Sequence, residues 1–168
     1  EFYYTLDEIK NNFYDALIIT GAPVETLPFE EVAYWKELVN IIKWSDTHVF
    51  QRVGICWGAQ ALLYYQFQIP KYSLDDKIFG IFSHQINQAK LRLMQGFTDD
   101  FPMPVSRHTE TKISDIKEYL QFDILAYSQR AGIGMMINNN NDDFFIFNHL
   151  EYDFDTLHKE YQRDLNTN

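Results

Sequence analysis

Residues 17–67 read as strand, helix, strand, helix, and that order restricts the chain more than any other feature of it. Leu17–Thr20 is a short apolar run ending at Gly21, the pattern of a buried strand that opens into a loop. Over Glu30–Asp46 the residues Val32, Trp35, Leu38, Val39, Ile41 and Ile42 fall at helical spacing. Glu30 and Glu31 stand in the first turn, where the helix dipole favours negative charge. Phe50–Cys56 is a second apolar strand and Trp57–Phe67 a second helix, stopped by Pro70. Strands joined through helices lie parallel, because the crossover returns the chain to the same end of the sheet. The expectation is an α/β fold: a mostly parallel sheet with helices on both faces.

Beyond residue 70 the periodicity weakens. Lys77–His84 reads as a strand, Gln88–Gln95 as a short helix closed by Gly96, and Asp99–Pro104 as a proline-bearing turn. Ser114–Leu120 reads as a helix with Ser114 as its N-cap. Three strands follow, Asp123–Ser128, Gly134–Ile137 and Phe144–Phe147, the last two joined by the polar tip Asn138–Asp143. Asp153–Leu165 closes as a helix, with Phe154, Leu157 and Tyr161 on one face. Neither a repeat nor a linker interrupts the pattern, so residues 1–168 read as a single domain. The chain opens on Glu1 with no leading strand, which fits the middle of a longer protein.

Charge narrows the partners. Fourteen Lys and Arg against 24 Asp and Glu leave a net charge of −10, and no basic patch offsets it. Nucleic acid and anionic membrane are disfavoured. One cysteine excludes an internal disulfide and fits a reducing, cytoplasmic setting. No apolar run approaches the roughly 20 residues of a membrane span, and no signal peptide is visible. Small-molecule substrates are the expected partners, and a homodimer remains open. Metal-binding spacings such as H-E-x-x-H and C-x-x-C are absent, so no metal is expected. Phosphate-loop and dinucleotide fingerprints are absent too.

The chemistry points to Gly54-Ile55-Cys56-Trp57-Gly58-Ala59-Gln60, where a strand feeds directly into a helix with cysteine at the turn. That is the layout of a nucleophile elbow. The flanking glycines are expected to allow the sharp turn, and the helix N-terminus favours the thiolate. The N–H of Trp57 would face an oxyanion formed at the thiolate's target. A lone cysteine is more often a buried small hydrophobe, but the glycines and the strand-to-helix context weigh against that here. A nucleophilic cysteine needs a base and an acid to orient it. His108-Thr109-Glu110 and His149-Leu150-Glu151 both have the spacing. The second follows an apolar strand, at the sheet end where α/β sites lie, so His149 is expected as base and Glu151 as orienter. His108 follows the proline-bearing loop and is expected at most to line the pocket. His84 has no evident role.

These residues resemble the class I glutamine amidotransferase-like fold, a flavodoxin-like three-layer sandwich. More closely, the chain resembles the homoserine O-acyltransferases of methionine synthesis, historically called homoserine O-succinyltransferases. The matching stretches are 17–25, Tyr34-Trp35, 55–60, 69–72, 106–110, Glu151-Tyr152-Asp153 and Arg163-Asp164, in family order. The resemblance implies that Cys56 takes an acyl group from acyl-coenzyme A as a thioester, with no bound cofactor. It implies that His149, held by Glu151, then activates an amino acid's hydroxyl. It places substrate contacts at Lys77, Ser106 and Arg163, and a second oxyanion donor in the loop at Gly21. Glu25 matches the position that separates acetyl from succinyl enzymes, and a carboxylate there resembles the acetyl type. The family usually has Glu where Ser83 stands, His where Val105 stands, and Gly where Asn148 stands. The first two are expected near the amino-acid pocket, which leaves serine open as an acceptor beside homoserine. A glutaminase or hydrolase on the same fold is the further alternative.

Overall fold

Seven strands form one sheet that runs through residues 3–87 and 92–166, the part described by a computed structural model. The elements are α1 (Leu6–Ile9), β1 (Tyr14–Ile19), α2 (Trp35–His48), β2 (Val49–Ile55), α3 (Trp57–Phe67), β3 (Tyr72–Ile86) and β4 (Asp100–Glu110). There follow α4 (Ile113–Ile116), β5 (Phe122–Ser128), β6 (Gly132–Asn138), β7 (Phe144–Ile146) and α5 (Thr156–Leu165). Short 3-10 turns cover Phe29–Glu31 and Arg92–Met94.

The strand order is β1-β2-β7-β6-β5-β3-β4. Only β1–β2 and β2–β7 pair in parallel; β7–β6, β6–β5, β5–β3 and β3–β4 are antiparallel. The sheet is therefore mixed rather than mostly parallel. The reason lies in the connections. Helix α2 carries the chain back from β1 to β2, whereas β5–β6 and β6–β7 are joined by turns too short to hold a crossover.

The two long helices α2 and α3 also share one core instead of covering opposite faces. Ile42 of α2 packs with Leu62 and Leu63 of α3 over Ile19, Met136, Phe145 and Phe147. Right-handed crossover between the parallel neighbours β1 and β2 fixes the side of α2, and α3 packs into the same core. A second cluster, Phe101, Met103, Leu125, Met135 and Ile137, is capped by Met94 of the 3-10 turn.

Other boundaries moved for local reasons. The first long helix starts at Trp35 rather than Glu30, because Phe29–Glu31 forms a separate 3-10 turn after Pro28. Asp99–Pro104 is no turn but the start of the edge strand β4; its prolines cost no ladder bond on an edge. Ser114 lies inside α4, whose N-cap is Lys112, and its hydroxyl turns to Asp115. The helix expected over Gln88–Gln95 falls partly outside the described residues. Helix α5 buries none of its residues, and Phe154, expected on an apolar face, is fully exposed.

Candidate active site

Strands β2 and β7 run side by side and deliver Cys56, the residue after β2, and His149, three residues past the end of β7, to the same end of the sheet. The ladder continues one step past β2, where the Cys56 N–H donates to the Ile146 carbonyl at 2.7 Å. Cys56 then turns with φ 52° and ψ −117°, a conformation that costs an L-residue strain, and its carbonyl accepts from Ala59 and Gln60 to open α3. The turn is thus made by the cysteine itself. Gly54 and Gly58 are needed for space: a Cβ at Gly58 would lie 2.2 Å from the Ile19 carbonyl oxygen, and one at Gly54 would lie 2.5 Å from Ala59 Cα. The missing side chains let α3 press onto β1 and β2 and hold the elbow in place. The Trp57 and Gly58 N–H groups belong to the first turn of α3, where no intrahelical acceptor exists.

His149 is held on several sides. Its backbone N–H donates to the Pro104 carbonyl at 2.9 Å, its Nδ1 meets Glu151 Oε1 at 2.7 Å, and Tyr152 stacks on the ring with centroids 4.2 Å apart. Burial opposes a charge on the imidazole. Hydrogen bonds donated to Cys56 and Glu151, and the negative charges of these partners, outweigh burial and push its pKa up to about 10. Burial likewise disfavours the Glu151 carboxylate, yet the bond to His149 holds it below its ordinary value. An imidazolium held by the Glu151 carboxylate beside the Cys56 sulfur is the form this geometry favours. Gly21 stands against both partners: a Cβ there would lie 3.2 Å from Cys56 Cβ and 3.6 Å from His149 Cε1.

Cys56, His149 and Glu151 open into a cavity of about 870 Å³ whose wall also includes Gly21, Glu25, Lys77, Ser106, His108 and Arg163. The residues expected from the sequence at the nucleophile, the base and the substrate positions therefore meet in one space. Glu25 Oε2 takes a long hydrogen bond of 3.4 Å from Thr109, while Lys71 ties the Glu25 and Leu27 carbonyls and so fixes the loop after β1. Lys77 pairs with Asp164 at 2.6 Å, and Arg163 turns onto the same Asp164. Val105 and Ser83 do not join them. Val105 is fully buried, one residue off the Ser106–His108 face of β4, and Ser83 bonds Asp100 beside a separate cleft. His84, buried beneath, donates from Nδ1 to the Phe82 carbonyl and receives Asn148 Nδ2 on Nε2, so burial keeps it neutral and its pKa low. Tyr152, Glu160 and Asp164 were not anticipated as wall residues; the i, i+3 pairing of Glu160 with Arg163 on α5 was the available signal.

The family model described as homoserine O-succinyltransferase matches residues 1–168. The chain belongs to that family. A homoserine O-acetyltransferase of Clostridium beijerinckii is 51% identical over 164 residues, which is 98% of this chain and 54% of the relative. Homoserine O-acetyltransferases of Clostridium acetobutylicum and Streptococcus mutans are 50% and 46% identical, over 99% and 98% of this chain and 55% and 52% of theirs. The chain spans about half the length of these relatives. Among solved structures, a glutamine amidotransferase from Thermotoga maritima superposes with a TM-score of 0.71 at 13% identity, covering 99% of this chain and 68% of that one. A glutamine amidotransferase from Methylobacillus flagellatus gives 0.62 at 12% identity over 80% of this chain and 51% of that one. The homoserine O-succinyltransferase family thus carries here the class I glutamine amidotransferase-like fold, as the strand–elbow–helix segment implied. Among the described residues no helix is long and apolar enough to cross a membrane. Nor do any three His, Cys, Asp or Glu side chains there gather as a metal site.

Proposed function

We propose that the full-length protein is a homoserine O-acetyltransferase working through an acetyl-Cys56 intermediate. The observation that carries this reading is the strained Cys56 beside the Glu151-held His149, in a cavity that also holds Glu25. In the first half-reaction the Cys56 thiolate attacks the thioester carbon of acetyl-coenzyme A. The carbonyl oxygen becomes an oxyanion, received by the Trp57 N–H and by the loop N–H at Gly21. The carbon–sulfur bond to coenzyme A breaks, and the departing thiolate takes the proton from the His149 imidazolium.

Acylation removes the Cys56 charge and its hydrogen bond to the imidazole, both of which raise the His149 pKa. The intermediate therefore leaves His149 a neutral base at the moment a base is needed. It accepts the proton of the homoserine hydroxyl as that oxygen attacks the acetyl carbon. The bond to Cys56 breaks, O-acetylhomoserine leaves, and the thiolate–imidazolium pair returns. Arg163 and Lys77 supply positive charge for the acceptor's carboxylate, with Ser106 beside them. No prosthetic group takes part; acetyl-coenzyme A is a co-substrate.

Acetyl is favoured over succinyl because Glu25 would face the terminal carboxylate of a succinyl chain. Two like charges about 4 Å apart repel by roughly 1 kcal/mol in water and about 4 at an intermediate dielectric. Homoserine is favoured over serine because Val105 and Ser83, the departures that opened the serine reading, lie away from the cavity wall. The test is mass spectrometry of the full-length enzyme quenched after acetyl-coenzyme A without acceptor. An acetyl adduct on the Cys56 peptide, cleared by homoserine, is expected; no adduct together with normal turnover in Cys56→Ala would overturn the mechanism.

A further inference from the structure

Glu25 reaches the cavity from the loop after β1, and that loop is clamped from outside. The Lys71 Nζ donates to the Glu25 and Leu27 carbonyls at 2.5 and 2.6 Å. The same ammonium lies 4.9 Å from the centre of the Phe29 ring, which packs against Trp35, Trp57 and Tyr64. This clamp fixes the backbone from which the Glu25 side chain starts, but leaves the torsions of that side chain free. Among the described residues, the one hydrogen bond to the Glu25 carboxylate comes from Thr109, whose Oγ1 stands 3.4 Å from Oε2. Thr109 is buried on β4. Its Oγ1 also lies 3.0 Å from Oε1 of Gln60, which is buried in the first turn of α3, four residues after Cys56. Glu25 walls the cavity, whereas Thr109 and Gln60 lie behind that wall.

A threonine hydroxyl has one proton, and two acceptor oxygens face it here. A half-turn of the Gln60 amide brings its Nε2 to Thr109 Oγ1. Gln60 then donates to Thr109, and Thr109 gives its own proton to the carboxylate, the stronger acceptor of the two. In the chain from Gln60 through Thr109 to Glu25 every bond has a donor and an acceptor. Its start is anchored beside the nucleophile, because the Gln60 N–H donates to the Cys56 carbonyl at 3.3 Å. We propose that Thr109, backed by Gln60, is a positioning residue for acyl selection: it holds the Glu25 carboxylate at the acyl end of the cavity. This deepens the acetyl-transfer reading above and rests on it for the role of Glu25. A succinyl chain then brings its terminal carboxylate against a charge that is unable to swing aside. Without the Thr109 hydroxyl Glu25 keeps its charge, but its side chain turns away and the repulsion falls with distance.

The test measures kcat/KM of the full-length enzyme for succinyl- and acetyl-coenzyme A with homoserine as acceptor. The readout is the succinyl-to-acetyl ratio within each variant, so a general loss of activity or of folded protein cancels. Thr109→Val keeps the shape and removes the hydroxyl, Thr109→Ala removes it with less volume, and Thr109→Ser keeps it. The expected result is a ratio raised roughly two- to tenfold in both Thr109→Val and Thr109→Ala, and a ratio near that of the wild type in Thr109→Ser. Glu25→Gly is expected to raise the ratio further. Adding Thr109→Val to Glu25→Gly is expected to change it no more, because Thr109 acts through the carboxylate. A ratio moved by Glu25→Gly but not by Thr109→Val or Thr109→Ala overturns the proposal alone. So does a rise in Thr109→Ser as large as in Thr109→Ala, or a further rise in the double variant. A ratio untouched by Glu25→Gly overturns the acetyl-selection reading and the proposal with it.

Discussion

Strands β2 and β7 carry a cluster of charges at each end, and the two clusters behave differently. At one end Arg52 is buried against Asp143. Its Nε and Nη2 meet the Asp143 carboxylate at 2.9 and 2.8 Å, its Nη1 takes Asp46, and Gln66 and Asn141 add bonds to the same carboxylate at 3.1 and 2.9 Å. Burial disfavours the guanidinium, but these partners outweigh it and raise its pKa. At the other end His149 and Glu151 also form an ion pair, yet Glu151 is half-exposed, the backbone at Cys56 is strained and a cavity opens in front. Charges whose bonding capacity is used up among themselves hold strands together. Charges left with spare capacity beside a cavity are available to a substrate.

Breaking the open cluster gives the largest effect. His149→Ala is expected to lower turnover by about 10³-fold or more while the melting temperature stays near that of the wild type; a coincident collapse in stability would erase the distinction between the two ends. Breaking the closed cluster gives the opposite profile. Asp143→Ala strands a buried guanidinium and is expected to cost about 3–5 kcal/mol of stability, read by denaturant unfolding, with kcat/KM of the folded fraction kept. Selectivity changes come next. Glu25→Gly is expected to raise kcat/KM for succinyl-coenzyme A relative to acetyl-coenzyme A by roughly five- to several-hundred-fold.

The smallest effect is a titration that sharpens the contrast. Because the folded-state pKa of His149 is raised, its contribution to stability is complete below its ordinary value near 6.5. That contribution is lost as the pH rises through about 10. Glu151 is lowered, so its contribution is present above 4.5 and lost as the pH falls through its lower folded value. The ring signals of His149 are expected to move near pH 10 in the wild type and at lower pH in Cys56→Ala, since the thiolate is among the groups that hold the proton on. An unchanged midpoint in Cys56→Ala would separate the imidazole from the nucleophile.

Residues adjacent in sequence determined the first half of the fold and the core of the site. The apolar run into Gly21, the helical spacing after it and the Gly-flanked Cys56 between strand and helix are local patterns, each set by backbone sterics and side-chain period. His149-x-Glu151 was legible for the same reason, because two residues apart at a strand exit can share one hydrogen bond. The direction of the later strands was not, since nothing local in Asp100–Glu110 announces an edge strand until β3 lies beside it and its prolines face away from the ladder. The family resemblance implied that Val105 and Ser83 lie near the pocket, and only the tertiary structure shows Val105 buried off the Ser106–His108 face and Ser83 bonded to Asp100 beside a separate cleft. Tertiary structure alone decided the far wall. Tyr152 meets His149 and Glu160 together only once α5 has docked beside β3, and which side chains surround a carboxylate is a property of the packing, not of the residue.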